Sequence, residues 1–146
     1  MAERILFVCT LNSVRSVLAE HLLRHATGEK FEIYSAGIDA QPFHPLVIAV
    51  LAEVGIECRH HAGQNIADIP ADLVIDRVIM LSREAYDAFK ILAEFPYKHL
   101  EFWDLPVPPA DPDLSRETQL MIYRMLREAI KGRLEGVGYT NLQSIE

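Results

Sequence analysis

Residues 4–20 read RILFVCTLNSVRSVLAE, and this stretch decides the fold. It opens with the apolar run of residues 5–8, which is typical of a buried parallel strand. Residues 13 to about 27 have helical spacing of their apolar positions, with Val14, Leu18 and Leu22 one turn apart. Cys9 and Arg15 lie where the strand gives way to the helix. The stretch therefore predicts a strand, a short loop and a helix in succession.

The rest of the chain repeats this alternation. Three further strands are predicted, at residues 31–34, 73–81 and 97–103. Three further helices are predicted, at residues 45–54, 82–92 and 115–136, with Pro45 in the first turn of one and Ser82 and Ser115 as N-caps of the others. The alternation predicts an α/β fold of three layers, with a four-stranded, mostly parallel sheet and helices on both faces. We expect residues 1–146 to form a single domain.

The length, charge and composition of the chain narrow the class of protein to which it can belong. A chain of 146 residues is long enough for one core, and half of its residues are apolar, as in ordinary globular proteins. The net charge of −7 argues against nucleic acid and against an anionic membrane surface as partners. No apolar run has transmembrane length, and the first residues lack a signal-peptide pattern. We therefore expect a cytoplasmic protein.

The two cysteines, Cys9 and Cys58, indicate free thiols. Two are too few for a disulfide framework, and neither has a second cysteine at the spacing of a zinc knuckle or a redox pair. At least one of them is therefore a candidate for reactivity, and no metal site or cofactor is expected.

Residues 9–16 combine a nucleophile with an anion site. A loop that leads from a strand into a helix presents unpaired backbone amides, and the helix dipole adds positive potential there. The same field stabilises a thiolate such as that of Cys9, and the planar guanidinium of Arg15 can grip two oxygens of an oxyanion. This set suits covalent catalysis at phosphorus. A nucleotide-type phosphate loop is excluded, because the stretch has neither its lysine nor its glycines.

The pattern C-x5-R-S with a central asparagine, followed by A-E, resembles the low-molecular-weight protein tyrosine phosphatases and the arsenate reductases that share their fold. The resemblance extends along most of the chain. Further matching segments are the S-A-G of residues 35–37, the G-I of residues 55–56, the H-x-A of residues 60–62 and the strand of residues 76–81.

The resemblance implies roles for individual residues. Cys9 is the nucleophile and Arg15 the oxyanion clamp. Asn12 holds an unusual turn, which asparagine tolerates better than most residues. Phosphate is bound by the loop residues that follow the nucleophile, namely Thr10, Leu11, Asn12, Ser13, Val14, Arg15 and Ser16. Ser16 donates a hydrogen bond to the thiolate, and Ser35 and His60 form a supporting network behind Asn12.

Two positions depart from the family pattern. Leu11 stands where glycine is common, and it would be strained if the position required a positive φ. Val17 replaces a frequent proline, which removes only a preferred residue of the first helical turn.

The general acid is ambiguous in the sequence. The family takes it from an Asp-Pro pair in the loop before the last helix, and Asp111-Pro112 is the only such pair in the chain. Relatives with a tryptophan at the end of the preceding strand read W-x-x-x-D-P, and counting from Trp103 places Val107 at the acid position. Asp111 is therefore the predicted acid, with Asp104 or no competent acid as the alternatives.

Three functions fit these residues. The first is a phosphomonoester hydrolase that forms a cysteinyl-phosphate and acts on phosphotyrosine in a protein or on small aryl phosphates. Trp103 and Phe43 are candidates for the pocket mouth, unless they are core residues or loop anchors. The second is an arsenate reductase resolved by an external low-mass thiol, since residues 74–89 lack the further cysteines of thioredoxin-coupled relatives. The third is a non-catalytic module that binds phosphotyrosine or another oxyanion.

Overall fold

A computed structural model describes residues 2–58 and 62–139. Its sheet has four strands: β1 (Glu3–Cys9), β2 (Phe31–Gly37), β3 (Ile75–Met80) and β4 (Tyr97–Phe102). The strands are ordered β2-β1-β3-β4, and each neighbouring pair is parallel. The predicted four-stranded α/β sheet is confirmed, and its pairing is parallel throughout rather than mostly so.

Helices cover both faces of the sheet. They are α1 (Arg15–Thr27), α2 (Pro45–Ala52), α3 (Arg83–Leu92) and α4 (Arg116–Gly136), with a short 3-10 helix at Ile66–Asp68. Side chains of the central strand β1 alternate between the faces. Ile5 and Phe7 lie in the core formed with α1, α2 and α4, whereas Leu6 and Val8 lie in the core formed with α3 and the 3-10 helix.

Several element ends differ from the sequence prediction. Helix α1 begins at Arg15 rather than at residue 13, because Asn12 and Val14 have non-helical backbone angles. Strand β2 continues through Gly37, since its parallel pairing with β1 extends to the pair Cys9 and Gly37. The remaining strand and helix ends move by at most two residues, as is usual where regular hydrogen bonding stops.

Two aromatic candidates for the pocket mouth belong to the core. Trp103 is 1% exposed and Phe43 is 5% exposed, and both lie in the cluster with α1, α2 and α4. Trp103 packs edge-on against Phe7 of the central strand. The core alternative therefore holds for both, because their apolar area is buried under the helices. No helix in residues 2–58 and 62–139 combines the length and apolar character needed to cross a membrane.

Candidate active site

The β1–α1 loop, residues 9–16, lies at the carboxyl end of the central strand. Cys9 closes β1 and is 3% exposed. Asn12 has a φ of 47°, and it is the one residue other than glycine with a positive φ in the described chain. Asparagine therefore takes the turn, as the resemblance implied. Leu11 does not have a positive φ, so the expected strain is absent, and its side chain is 42% exposed.

The segment of residues 38–44 fixes the outer side of this loop. Its amides donate to loop carbonyls at 2.9 to 3.1 Å, with Ile38 and Asp39 bonded to Thr10, Gln41 to Leu11 and His44 to Ser13. In a trans peptide the following N–H points opposite to the carbonyl. The amides of Leu11, Asn12 and Val14 are therefore directed away from this segment.

Those amides are open donors. Within the described residues, the backbone N–H groups of residues 11–14 donate to no other residue. The loop also leads into the N-terminus of α1, where further amides lack intrahelical acceptors. Open amides beside a helix N-terminus form a site for an anion.

Two glycines let the neighbouring backbone approach the loop. A Cβ added at Gly37 would lie 2.7 Å from the Asn12 nitrogen and 2.9 Å from the Leu11 carbonyl carbon. A Cβ at Gly63 would lie 2.7 Å from the Asn12 carbonyl oxygen and 2.8 Å from that of Gln41. Any side chain at either position would displace the turn at Asn12, because the contacts are with backbone atoms.

The Cys9 thiol shares a hydrogen bond with a hydroxyl that its own neighbours hold in place. The backbone amide of Gln64 donates to Asn12 Oδ1 at 2.8 Å, which fixes the orientation of that side-chain amide. Asn12 Nδ2 then donates to Ser16 Oγ at 2.7 Å, and Ser16 Oγ lies 2.9 Å from Cys9 Sγ, where either group can be the donor. All three side chains are buried. A hydroxyl in this place can donate to a thiolate when Cys9 is ionised.

Arg15 is held beside the loop by the end of β3. Its Nη1 donates to the carbonyl oxygen of Leu81 at 2.8 Å, and its side chain is half-buried. No carboxylate within the described residues pairs with it, so the other guanidinium donors remain for a ligand. A planar guanidinium with open donors suits a tetrahedral oxyanion.

A polar network lies behind Asn12. Gln64 Nε2 donates to the carbonyl of Ser35 at 2.9 Å, and the Ser35 hydroxyl donates to Glu20. Glu20 is 5% exposed and pairs with Arg24 at 2.8 Å. Ser35 thus lies in the network that the resemblance implied. His60 falls outside the described residues, so its predicted role stays a prediction.

Sequence reasoning missed Glu20, Arg24 and Gln64 as members of this network. Glu20 carried a signal, since its carboxylate follows Ser16 by one helical turn. The Glu20–Arg24 pair also has the i,i+4 spacing of a helical ion pair. Gln64 carried no signal, because its contacts with Asn12 and Ser35 come from tertiary structure alone.

The candidate acids lie in the loop between β4 and α4. Asp111 is exposed, and its Oδ1 accepts a hydrogen bond from the amide of Asp113 at 2.9 Å. Asp104 is exposed directly after the buried Trp103. Neither carboxylate bonds to the β1–α1 loop within the described residues. The assignment of Asp111 as general acid stays a prediction.

The second cysteine has a different environment. Cys58 is 7% exposed, and burial raises the pKa of its thiol, with a smaller contribution from the charge of Glu20. Both cysteines are free. Among the described residues, no group of three or more His, Cys, Asp or Glu side chains is arranged to hold a metal ion. The arrangement offers thiolate chemistry at one residue, Cys9, with amides and Arg15 as the source of positive charge.

Comparison with known proteins gives matches over most of the chain. The sequence profile of a family described as low molecular weight phosphotyrosine protein phosphatase matches residues 4–137. An arsenate reductase of Shouchella clausii (strain KSM-K16) is 30% identical over 144 residues, which cover 92% of this chain and 95% of that protein.

Solved structures share the fold. One described as an arsenate reductase in the phosphate binding state has a TM-score of 0.68 at 28% identity, covering 92% of this chain and 95% of that one. The tyrosine phosphatase Wzb from Escherichia coli K30, in complex with sulphate, has a TM-score of 0.66 at 23% identity, covering 94% of this chain and 100% of that one. The latter likeness concerns the fold alone.

These matches confirm the resemblance read from the C-x5-R-S pattern. The profile spans both the β1–α1 loop and the last helix, and an arsenate reductase matches in sequence, whereas the tyrosine phosphatase matches in fold. The protein is a cysteine-dependent enzyme of this superfamily. By sequence profile, fold and loop, the chain belongs to the low molecular weight phosphotyrosine protein phosphatase family.

Proposed function

We propose that this protein hydrolyses phosphomonoesters, with phosphotyrosine or small aryl phosphates as substrates. One observation carries the proposal: Ser16 Oγ lies 2.9 Å from Cys9 Sγ, in a loop whose amides are open. A cysteine nucleophile beside a group of oxyanion donors is the pair of features that cysteine-based phosphoryl transfer requires.

The reaction proceeds in two displacements. The Cys9 thiolate attacks phosphorus, the S–P bond forms and the P–O bond to the phenol breaks, while the loop amides and Arg15 hold the phosphoryl oxygens. Water then attacks phosphorus, the S–P bond breaks, and inorganic phosphate leaves as the thiolate is restored. Arg15 supplies the charge that a metal ion supplies in other phosphoryl-transfer enzymes.

The leaving phenoxide takes a proton from Asp111, and the same carboxylate later accepts a proton from the attacking water. Asp111 belongs to a loop with four prolines between Asp104 and Asp113, which limits its backbone freedom. The carboxylate serves as acid after it leaves the amide of Asp113 and turns toward the bound ester. Asp104 is the alternative acid on the same loop.

A second candidate function is arsenate reduction with an external low-mass thiol. It is favoured by the relatives, of which the Shouchella clausii protein is named arsenate reductase. Arsenate has the shape and charge of phosphate and fits the same donors. Arsenate would gain two electrons from two thiols, that of Cys9 and that of the external compound. The products would be arsenite, water and a mixed disulfide between the two thiols. Cys58 is a poor internal substitute, because its buried thiol is held in the protonated form.

Two parallel assays separate these functions. Turnover of p-nitrophenyl phosphate is measured for the unmodified protein and for Cys9→Ser, Asp111→Asn and Asp104→Asn, with Cys58→Ser as the matched cysteine control. Phosphatase activity is expected to vanish in Cys9→Ser, to fall about 10²- to 10⁴-fold in Asp111→Asn and to persist in Cys58→Ser.

The second assay measures the formation of arsenite from arsenate, with glutathione as the added thiol. Arsenite formed only with glutathione, without p-nitrophenyl phosphate turnover, would replace the first function by the second. Neither activity, with phosphate still bound, would leave an oxyanion-binding module.

A further inference from the structure

The junction between β3 and α3 contacts the β1–α1 loop at two points. Thr10 Oγ1 lies 2.9 Å from Ser82 Oγ, and Arg15 Nη1 donates to the Leu81 carbonyl at 2.8 Å. The junction is itself tied to the central strand, since the Leu81 amide donates to the Val8 carbonyl at 2.7 Å. The neighbouring residues Leu81 and Ser82 thus contact two residues of the proposed oxyanion site, which are Arg15 and Thr10.

Ser82 also caps helix α3. Its Oγ accepts a hydrogen bond from the amide of Ala85 at 3.0 Å, and the residue is 6% exposed. A hydroxyl that accepts from a helix amide keeps one proton and one lone pair for a second partner. That second partner is Thr10 Oγ1, so a continuous set of hydrogen bonds joins the N-terminus of α3 to the β1–α1 loop.

Thr10 is consequently held from both sides. Its carbonyl oxygen accepts from the amides of Ile38 and Asp39 at 2.9 and 3.1 Å, and its hydroxyl is paired with Ser82. The peptide plane between residues 10 and 11 carries that carbonyl and the open amide of Leu11. Restraining Thr10 therefore sets the direction of an amide that faces the ligand position.

We infer that Ser82 is a positioning residue of the oxyanion site, which acts through Thr10 on the affinity for a tetrahedral anion. The role is distinct from capping α3, although the same hydroxyl performs both. The inference rests on the proposed function only in that residues 9–16 bind an oxyanion, and it does not depend on turnover.

The test uses inorganic phosphate as the probe and the protection of Cys9 against iodoacetamide as the readout. The variants are Ser82→Ala, Thr10→Val and the double variant, with Ser82→Thr as the rescue. Ser115→Ala is the matched control, because Ser115 caps α4 through the amide of Thr118 at 3.1 Å and is exposed.

The two single variants are each expected to raise the dissociation constant for phosphate about two- to tenfold. The double variant should be no weaker than either single variant, since both remove the same hydrogen bond. Ser82→Thr should bind phosphate as the unmodified protein does. The urea midpoint of Ser115→Ala should fall by about as much as that of Ser82→Ala. Its phosphate affinity should stay that of the unmodified protein.

Unchanged phosphate affinity in Ser82→Ala would overturn the inference, as would additive losses in the double variant. Failure of the unmodified protein to bind phosphate would overturn it as well. Phosphate binding without p-nitrophenyl phosphate turnover would overturn the proposed function alone, and the comparison of variants would still decide the role of Ser82.

Discussion

Replacing Ser16 by alanine removes the hydroxyl that can donate to an ionised Cys9 sulfur. The bond is 2.9 Å long and lies among side chains that are at most 3% exposed. A hydrogen bond to a charged group contributes about 1.5 to 3 kcal/mol. Since each 1.4 kcal/mol is a factor of ten, the reactivity of Cys9 at neutral pH should fall about 10- to 150-fold.

The same change affects stability. Asn12 Nδ2 donates to Ser16 Oγ at 2.7 Å, and Asn12 is 1% exposed. Without that oxygen, a buried donor is left unpaired, which costs about 1 to 3 kcal/mol. Ser16→Ala is thus expected to be less stable and less reactive, with the two effects measured separately.

The assay is the rate of iodoacetamide modification of Cys9 between pH 5 and 9, followed by mass spectrometry. Urea unfolding of the same variant supplies the stability. Ser115→Ala, which deletes a hydroxyl at the start of α4, is the control and should retain the rate. A folded Ser16→Ala protein with an unchanged rate at every pH would refute the argument that the hydroxyl stabilises the thiolate.

Two other changes test the framework of the loop and the second thiol. Gly37→Ala places a Cβ 2.7 Å from the Asn12 nitrogen and should lower the free energy of unfolding by about 1 to 3 kcal/mol and weaken phosphate binding. Gly132→Ala, the control, meets no atom within 4 Å in α4 and should stabilise by about 1 kcal/mol. Cys58 should resist iodoacetamide at pH 7, where Cys9 reacts, and react only in more alkaline solution, because burial raises the pKa of its thiol.

Each of these has a contrary result. A Gly37→Ala protein as stable as Gly132→Ala would show that the approach at Asn12 does not require glycine. Equal labelling of both cysteines at pH 7 would show that Cys58 is neither protonated nor shielded. Urea midpoints answer the first question, and peptide mapping after labelling answers the second.

The elements of the sheet were predictable because their signals are local. Apolar runs marked the strands, and N-cap residues such as Ser82 and Ser115 marked helix starts that the structure retains. The start of α1 was not predictable, because residues 13 and 14 have helical spacing but are held by the loop. The sequence left Trp103 open between the pocket mouth and the core, since an aromatic residue at a strand end has the same pattern in both places, and the structure buries it.

By itself the sequence determined which residues carry the chemistry: a cysteine at a strand end and an arginine six positions later, in a loop that leads into a helix. Tertiary structure alone decided how they are held. Gln64 reaches Asn12 across 52 positions and Ser82 reaches Thr10 across 72, and Gly37 and Gly63 leave room for the turn. The physical reason is that periodicity reports which face of an element is buried, whereas a hydrogen bond between distant residues depends on how those elements pack.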